Sequence, residues 1–230
     1  MSTVIETKNL CRTFGEGETQ VAALDQVDIT IKAGEFTAIT GPSGSGKTTL
    51  LQLIGGLDEP AMGDIFLSGT NIAHMSGAQL SDFRRDHIGF IFQSYNLIPV
   101  LSAQENIEYI MLLQGVSAQA RRERVQEMLA LVGLEGLGNR RPAQLSGGQQ
   151  QRVAVARAMA SKPTIILADE PTANLDSTTG VALIEVMREL NKKLGMTFVF
   201  STHDHKIMER ADRLIHLEDG VIQLDELRNS

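Results

Sequence analysis

Gly41-Pro42-Ser43-Gly44-Ser45-Gly46-Lys47-Thr48 fits the pattern G-x-x-x-x-G-K-[ST] at every fixed position. It lies between a predicted strand, Phe36–Thr40, and a predicted helix over residues 49–54. Glycines allow the backbone to curl until several N–H groups converge on phosphate oxygens, and the start of the following helix adds partial positive charge. In this pattern Lys47 reaches the β- and γ-phosphates, and the Thr48 hydroxyl binds Mg²⁺. The stretch therefore predicts a phosphate-binding loop rather than an ordinary glycine-rich turn.

A second candidate site is the pair of carboxylates that ends an apolar run. Residues 164–168 are typical of a strand buried on both faces of a parallel sheet, and Asp169 and Glu170 follow directly. Ligands of α/β proteins bind at the carboxyl ends of such strands. We therefore expect Asp169 to hold Mg²⁺ through water and Glu170 to polarise an attacking water. The alternative is an acidic turn without function, and only the phosphate-binding loop in the same chain disfavours it.

Strand and helix signals alternate along the rest of the chain, which is typical of an α/β fold. Capping patterns predict helices that begin after Ser102, Ser117, Ser146 and Asp176. Further strands are predicted at residues 4–13, 27–31, 65–67 and 197–201, with a terminal hairpin at 214–217 and 221–224. Since helical signals dominate the middle of the chain, we expect a nucleotide-binding core that is interrupted by a helical lobe at roughly residues 95–160.

Composition excludes several classes of protein. The chain has 230 residues, 42% hydrophobic and 21% charged, so it can bury a core and is not expected to be disordered. Its longest apolar runs are far shorter than the roughly 20 residues needed to span a bilayer. A formal net charge of −7 argues against a nucleic-acid-binding protein. Because the sequence shows no secretion signal and has one cysteine, Cys11, the expected location is the cytosol.

The segment Leu145-Ser146-Gly147-Gly148-Gln149-Gln150-Gln151-Arg152 predicts a second helix start that can bind an anion. Ser146 is a suitable N-cap residue, and the glycines leave backbone N–H groups accessible to a ligand. The sequence thus has one phosphate-binding loop but two helix starts able to bind phosphate. The simplest explanation is that two subunits meet head to tail, so that each offers this segment to the nucleotide of the other.

These motifs resemble those of the ATP-binding-cassette (ABC) ATPases in order and spacing. Residues 41–48 resemble Walker A, residues 145–152 the LSGGQ signature and residues 165–170 Walker B. Gln93 resembles the Q-loop glutamine, Ala173-Asn174-Leu175-Asp176 the D-loop and His203 the switch histidine. The resemblance extends over about residues 3 to 225.

The resemblance implies a single ABC nucleotide-binding domain over residues 1–230. Its fold would be α/β, with a P-loop NTPase (RecA-like) core built on a mixed sheet, an N-terminal antiparallel β subdomain and an inserted α-helical subdomain. The core and β subdomain would take approximately residues 1–94 and 161–230, and the helical signature subdomain approximately residues 95–160.

The resemblance also implies that two copies of the chain sandwich two ATP molecules, with Mg²⁺, and hydrolyse them. Glu170 would be the general base, His203 would hydrogen-bond the γ-phosphate, and Gln93 would complete the catalytic set. The Mg²⁺ ligands would be Thr48, Gln93 and Asp169. The residues implied to contact ATP, in one copy or the other, are Phe14, Gly41, Pro42, Ser43, Gly44, Ser45, Gly46, Lys47, Thr48, Thr49, Ser146, Gly147, Gly148, Gln149 and Asp176.

Two of these assignments have a competing explanation. Phe14 stands where the family commonly has an aromatic residue that stacks on adenine, but a core aromatic would also suit this position. Asp176 can couple two sites at a dimer seam, can cap a helix, or can do both.

Residues 92–107 bear on the partner. Their form, F-Q-x-x-x-L-I-P-x-L-[ST]-A-x-E-N, resembles the branch of lipoprotein-release and macrolide-efflux ATPases. That resemblance implies an integral membrane permease as partner and a peripheral position on the cytoplasmic face of the membrane. A groove after Gln93, with Tyr95, Leu97, Ile98 and Leu101 in reach, would receive a helix of the permease. The alternative is that these apolar residues belong to the core.

Two other functions remain open. A cell-division cassette of the same branch would activate wall hydrolases through a permease-like partner without moving cargo. A soluble ABC protein that acts on DNA or ribosomes usually has two cassettes, long coiled coils or basic inserts, and this acidic sequence has none. The sequence does not specify a cargo, because selectivity resides in the permease.

Overall fold

The computed structural model describes residues 2–228. The strands are β1 (Thr3–Phe14), β2 (Val21–Lys32), β3 (Phe36–Thr40), β4 (Met62–Leu67), β5 (Thr70–Asn71), β6 (Ile88–Ile91), β7 (Ile165–Asp169), β8 (Thr197–Ser201), β9 (Arg213–Glu218) and β10 (Val221–Leu227). The helices are α1 (Lys47–Ile54), α2 (Gly77–His87), α3 (Ala103–Leu113), α4 (Ala118–Leu131), α5 (Gly147–Ala160), α6 (Ser177–Leu194) and α7 (His205–Arg210). Residues 1 and 229–230 of the predicted domain lie outside the described residues.

The described strands form two sheets. One is antiparallel, in the order β2-β1-β4-β5, and the other is mixed, in the order β10-β9-β3-β8-β7-β6. In the mixed sheet, β9, β3, β8, β7 and β6 are parallel, and β10 pairs antiparallel with β9. The predicted α/β fold with a mixed sheet and an N-terminal antiparallel sheet is confirmed.

Side-chain alternation along the central strands builds a core on both faces of the mixed sheet. In β8, Phe198 and Phe200 belong to the cluster under the helices, whereas Val199 belongs to the cluster shared with the antiparallel sheet. All five residues of β8 are therefore buried, which is why this segment has no polar face. Phe36 of β3 packs against the rings of Phe198 and Phe200, with centroid distances of 5.6 and 4.6 Å.

Helices α3, α4 and α5 form the predicted helical insert. Ser102 and Ser146 cap α3 and α5 through reciprocal capping boxes, and Ser117 caps α4. Buried side chains of these helices, such as Met128 and Val153, belong to the same cluster as one face of the mixed sheet. Among residues 2–228, no helix combines the length and the apolar character that crossing a membrane requires.

The structure differs from the sequence-based expectation in several elements, among them β5, β6 and α7, which the sequence analysis does not predict. β2 is longer than residues 27–31, because it continues past an irregular stretch in which Asn9 and Gln26 both have a φ of 48°. Helix α1 begins at Lys47 and not at Thr49. The sequence does not predict α2, because this helix buries none of its residues and so has no apolar period.

The parallel strands bring the chemically interesting residues to one edge of the mixed sheet. Strand β3 leads into the phosphate-binding loop, and β6 is followed by Gln93. Strand β7 ends at Asp169, which is paired in register with the end of β8 and is followed by Glu170. His203 follows β8. The carboxyl ends of these adjacent strands therefore form the floor of a common site.

Candidate active site

A cleft of about 650 Å³ lies at the carboxyl edge of the parallel strands. Phe14 and Ala23 of the antiparallel sheet form part of its lining. The residues that follow the parallel strands contribute Gln93, Glu170 and His203. The remainder comes mainly from the phosphate-binding loop and the first residues of α1, Gly41, Pro42, Ser43, Gly44, Ser45, Gly46, Lys47, Thr48 and Thr49.

Two glycines of the phosphate-binding loop have a backbone that other residues adopt poorly. Gly41 has a φ of 145° and Gly46 a φ of 102°. A Cβ atom on Gly41 would lie 1.9 Å from the carbonyl oxygen of Leu217, and one on Gly46 would lie 2.3 Å from that of Ala23. Because these obstacles are backbone atoms, the curled loop requires glycine at both positions.

The polar groups of the loop fit an anionic ligand. The ammonium group of Lys47 donates to the carbonyl oxygens of Gly41 and Pro42, at 2.8 and 2.7 Å, which holds the charge against the loop. Within the described chain, the hydroxyl of Ser45 is buried without a hydrogen-bond partner. An unsatisfied buried hydroxyl costs about 1–3 kcal/mol, and a ligand with acceptor oxygens would remove that cost. The loop therefore suits a phosphate group.

The side-chain oxygens of Thr48 and Asp169 lie next to each other. The Thr48 hydroxyl donates to Oδ1 of Asp169 at 3.0 Å, which links the start of α1 to the end of β7. Hydroxyl and carboxylate oxygens are ligands that Mg²⁺ uses together with water and nucleotide phosphates. With Gln93 on the wall of the same cleft, the donor set fits Mg²⁺.

Glu170 and His203 contact each other directly. Nδ1 of His203 lies 2.8 Å from Oε1 of Glu170, and the hydroxyl of Thr202 lies 3.4 Å from Oε2. When the carboxylate of Glu170 is ionised it can only accept, and Nδ1 of His203 is then the donor of this hydrogen bond. The φ of Glu170 is 44°, a strained value for a residue with a side chain, and such strain occurs where a turn directs a functional group.

Glu170 and His203 differ in how far their side chains are buried. The Glu170 side chain is 16% exposed, whereas that of His203 is 74% exposed. Glu170 is thus fixed at the base of the cleft, and His203 has little packing that would oppose a change of rotamer. Thr202, which the sequence does not mark as functional, supports the carboxylate only because β7 and β8 are neighbours.

The backbone before and after Gln93 is tied to other parts of the chain. Nδ2 of Asn174 donates to the carbonyl oxygen of Gln93 at 3.0 Å. The buried amide of Gln151, on α5, donates to the carbonyl oxygens of Pro171 at 2.7 Å and Phe92 at 3.4 Å. Sequence reasoning missed Gln151, whose place in the signature helix was its only signal.

The signature segment lies outside the cleft. Ser146 is exposed, Gly147 and Gly148 are half-buried, and these three residues do not line the cleft. The hydroxyl of Ser146 accepts from the backbone N–H of Gln149 at 3.3 Å, and Oε1 of Gln149 accepts from the N–H of Ser146 at 2.9 Å. The cleft of a single chain therefore lacks the phosphate contacts predicted for this segment.

Asp176 caps α6. Its Oδ1 accepts from the backbone N–H groups of Thr178 and Thr179, both at 3.0 Å, and its Oδ2 accepts from the Thr179 hydroxyl. These hydrogen bonds, above all those from Thr179, hold the pKa of Asp176 below its usual value. Capping is thus confirmed, and contact with a second copy stays a prediction.

Phe14 is 43% exposed and lies on the wall of the cleft. The alternative in which it is a core aromatic is therefore wrong. Its stacking on adenine stays a prediction.

Comparison with known proteins agrees with this site. The family model described as ABC transporter matches residues 24–173. The ABC transporter ATP-binding protein MJ0796 of Methanocaldococcus jannaschii is 44% identical over 227 residues, which is 97% of each chain. This chain belongs to the ABC transporter family. It is an ABC-type ATPase, as the predicted motifs indicate.

Some other relatives of this ABC ATPase are longer. The macrolide export ATP-binding/permease protein MacB of Escherichia coli is 47% identical over 225 residues, which is 98% of this chain but 35% of MacB. The chain thus spans about a third of the MacB length. Among solved structures, dimeric MJ0796 in a post-hydrolysis state bound to ADP and Pi matches with a TM-score of 0.90, at 43% identity over 98% of this chain and 99% of that one. CbiO1 of Clostridium perfringens matches with a TM-score of 0.89, at 29% identity over 99% and 89%.

The residues after Gln93 divide between core and surface in this ABC ATPase. Leu97 packs against the core cluster, whereas Ile98 is 37% exposed and lines a groove of about 290 Å³ together with Tyr109. Arg157 of α5 also lines the groove, and its guanidinium donates to the backbone carbonyl oxygens of Tyr95, at 2.9 Å, and Asn96. Burial lowers the pKa of Arg157. The groove, the segment after Gln93 and the signature helix are therefore in direct contact.

Proposed function

We propose that two copies of this ABC ATPase sandwich two ATP molecules and thereby drive a conformational change in a partner permease of the lipoprotein-release or macrolide-efflux type. One observation carries the proposal: the phosphate-binding loop lines the cleft, whereas the signature segment, which is at least partly exposed, does not. A second copy that presents its Ser146, Gly147 and Gly148 would supply the missing phosphate contacts. The dimeric MJ0796 structure and the ATP-binding/permease character of MacB support this arrangement.

Within each composite site, the cleft would bind the nucleotide. Phe14 would stack on the adenine, and the loop with Lys47 would hold the phosphates. Thr48, Gln93 and Asp169 would hold Mg²⁺, which when bound neutralises charge that develops on the β- and γ-phosphates. The boundaries of the core at residues 1–94 and 161–230, and of the helical signature subdomain at 95–160, are part of the same proposal.

Glu170 would act as the general base in hydrolysis. The N–H that His203 gives to Glu170 in this structure would be given instead to an oxygen of the γ-phosphate. The carboxylate would then be free to take a proton from the attacking water, whose oxygen bonds to the γ-phosphorus as the bond to the β–γ bridging oxygen breaks. A positioned general base contributes about 10²–10⁴-fold in rate.

The groove after Gln93 would receive a helix of the permease. Ile98 and Tyr109 supply an apolar wall, and Arg157 connects that wall to the backbone after Gln93. A helix that moves in the groove would in this way shift Gln93 relative to the cleft. The chain would then be peripheral to the membrane, on its cytoplasmic face, and held there by the permease.

Complementation between two inactive variants tests the shared site. Lys47→Ala removes the phosphate-binding lysine and keeps the signature, whereas Ser146→Arg blocks the signature and keeps the cleft. We expect each variant alone to lose ATPase activity. An equimolar mixture should regain about a quarter of the wild-type rate, because half of the twofold-symmetric dimers contain both variants and each of these has one complete site.

The control is ADP binding to Ser146→Arg, which should equal that of the wild type and shows that the cleft is intact. If both variants are folded and mixing restores no ATPase activity, the shared site is wrong.

A second experiment tests the permease. Affinity purification of the wild-type chain from membranes should recover a permease with a large extracytoplasmic domain. Recovery of a permease of another architecture would contradict the proposed branch.

A further inference from the structure

We infer that Arg12 is a positioning residue for the adenine ring of bound nucleotide and that it acts through Phe14. The inference rests on the proposed ATP site and adds a residue outside the cleft. Arg12 and Phe14 are two positions apart at the end of β1. The guanidinium carbon of Arg12 lies over the Phe14 ring, 4.8 Å from its centroid, within the range of a cation–π contact.

The two faces of the Phe14 ring have different surroundings. Arg12 covers one face, and Arg12 is not among the residues that line the cleft, whereas Phe14 is. In this inference, adenine stacks on the face of the ring that Arg12 does not cover. An aromatic side chain that is 43% exposed would otherwise be free to change rotamer.

An ion pair holds Arg12 in place. Its Nη2 lies 2.8 Å from Oδ1 of Asp58, and the two side chains are only 24% and 23% exposed. The same oxygen of Asp58 accepts from the backbone N–H of Glu59 at 2.8 Å. Because Asp58 follows α1, the ion pair ties the end of β1 to the helix that begins in the phosphate-binding loop. The residue that supports the Phe14 ring is thus tied to the segment that follows α1.

The Nε group of the guanidinium has no competing partner in the described part of the chain. Among the described residues, Nε of Arg12 is buried without a hydrogen-bond partner. The guanidinium is thus held by Asp58 through Nη2 and contacts the ring of Phe14.

A platform that is ordered before the ligand arrives lowers the entropy cost of binding. Loss of a cation–π contact of this kind corresponds to a change of about two- to five-fold in affinity. The effect should be confined to ligands that have a base. The affinity for tripolyphosphate, which has the phosphates but no base, should not depend on Arg12.

The test measures binding of ADP and of tripolyphosphate by calorimetry, together with kcat and KM for ATP. We expect Arg12→Met to weaken ADP binding and raise KM by about two- to five-fold, with kcat and tripolyphosphate binding unchanged. Asp58→Asn should act in the same direction, which provides a second variant if the first folds poorly. The matched control is Lys8→Met. Lys8 is also on β1, its ammonium lies 4.9 Å from the ring of Phe66 on β4, and neither residue lines the cleft.

A double-mutant cycle with Phe14→Ala shows whether Arg12 acts through the ring. In the Phe14→Ala background, Arg12→Met should cause no further loss of ADP affinity. The inference is overturned if Arg12→Met weakens both ligands equally, acts equally without Phe14, or is matched by Lys8→Met. If Phe14→Ala leaves ADP binding unchanged while Glu170→Gln still stops hydrolysis, the inference fails and the proposed function stands. If complementation fails but Arg12→Met still weakens ADP binding selectively, the shared site is wrong and the inference about Arg12 stands.

Discussion

Helices α1 and α5 both begin with glycine-containing segments that the sequence predicts to bind phosphate, yet their N-termini differ. The N-cap residue of α1 is Gly46, which has no side chain to cap the helix. The N-cap residue of α5 is Ser146, which forms a reciprocal capping box with Gln149. The start of α1 lies in the cleft, whereas the start of α5 is on the surface.

The first four N–H groups of a helix have no partner within the helix. At α1 they are left for a ligand, so this helix start is suited to hold nucleotide without help from another chain. At α5 the hydroxyl of Ser146 already accepts from one of these N–H groups, that of Gln149, so the start of the helix is stabilised without a nucleotide. This asymmetry is compatible with the proposed shared site, in which one chain holds the nucleotide in its cleft and the second chain adds its signature segment.

Glu170→Gln should have the largest effect, and it changes the cleft in which α1 begins. The amide keeps the shape of the side chain but cannot take a proton, so kcat should fall by about 10²–10⁴-fold. Binding of ATP, measured by calorimetry, should stay close to the wild-type value. Hydrolysis at the normal rate would remove Glu170 from the role of general base.

Gly147→Ala, at the first residue of α5, should have a smaller effect on ATPase activity. The added Cβ would lie 2.9 Å from the hydroxyl of Tyr95, so Tyr95 must leave its position. An off-rotamer side chain costs about 0.5–1.5 kcal/mol, and we expect ATPase activity to fall by about two- to ten-fold with ADP binding unchanged. Equal losses of ATPase activity and ADP binding would show that the two helix starts are not separate in function.

The matched control for Gly147 is Gly77. Helix α2 also begins with a serine capping box, Ser76 with Gln79, and Gly77 occupies the same position as Gly147. A Cβ on Gly77 would meet nothing within 4 Å. Gly77→Ala should therefore leave ATPase activity intact and raise the free energy of unfolding by about 0.4–1 kcal/mol.

Asp176→Asn should have the smallest effect and reports on the cap beside the signature helix. Because the folded-state pKa of Asp176 is lowered, its contribution to stability is present above the unfolded-state pKa of about 4 and is lost as the pH falls through the folded-state value. In urea unfolding, the wild type should be more stable than the variant at pH 7, and the difference should shrink at pH 3. A difference that is the same at both pH values would mean that the charge of Asp176 does not stabilise α6.

The sequence predicts those parts of the site that depend on neighbouring residues. The phosphate-binding loop, the carboxylates after β7 and His203 after β8 each follow a strand whose burial makes it apolar. Residues whose contacts are distant in sequence have no such local pattern. Arg12 meets Asp58, 46 positions away, and Arg157 meets Asn96, 61 positions away, so no local pattern connects them.

The chemistry available to this protein was determined by the sequence alone, because the loop glycines, Lys47, Glu170 and Ser146 define their local backbone and functional groups within a few residues. Which of these groups share a cleft was decided only by the tertiary structure. The order β3-β8-β7-β6 brings four strand ends together, while α5 starts outside the cleft that they form. The reason is physical: strand order depends on how distant apolar faces are buried together, and no short segment contains that information.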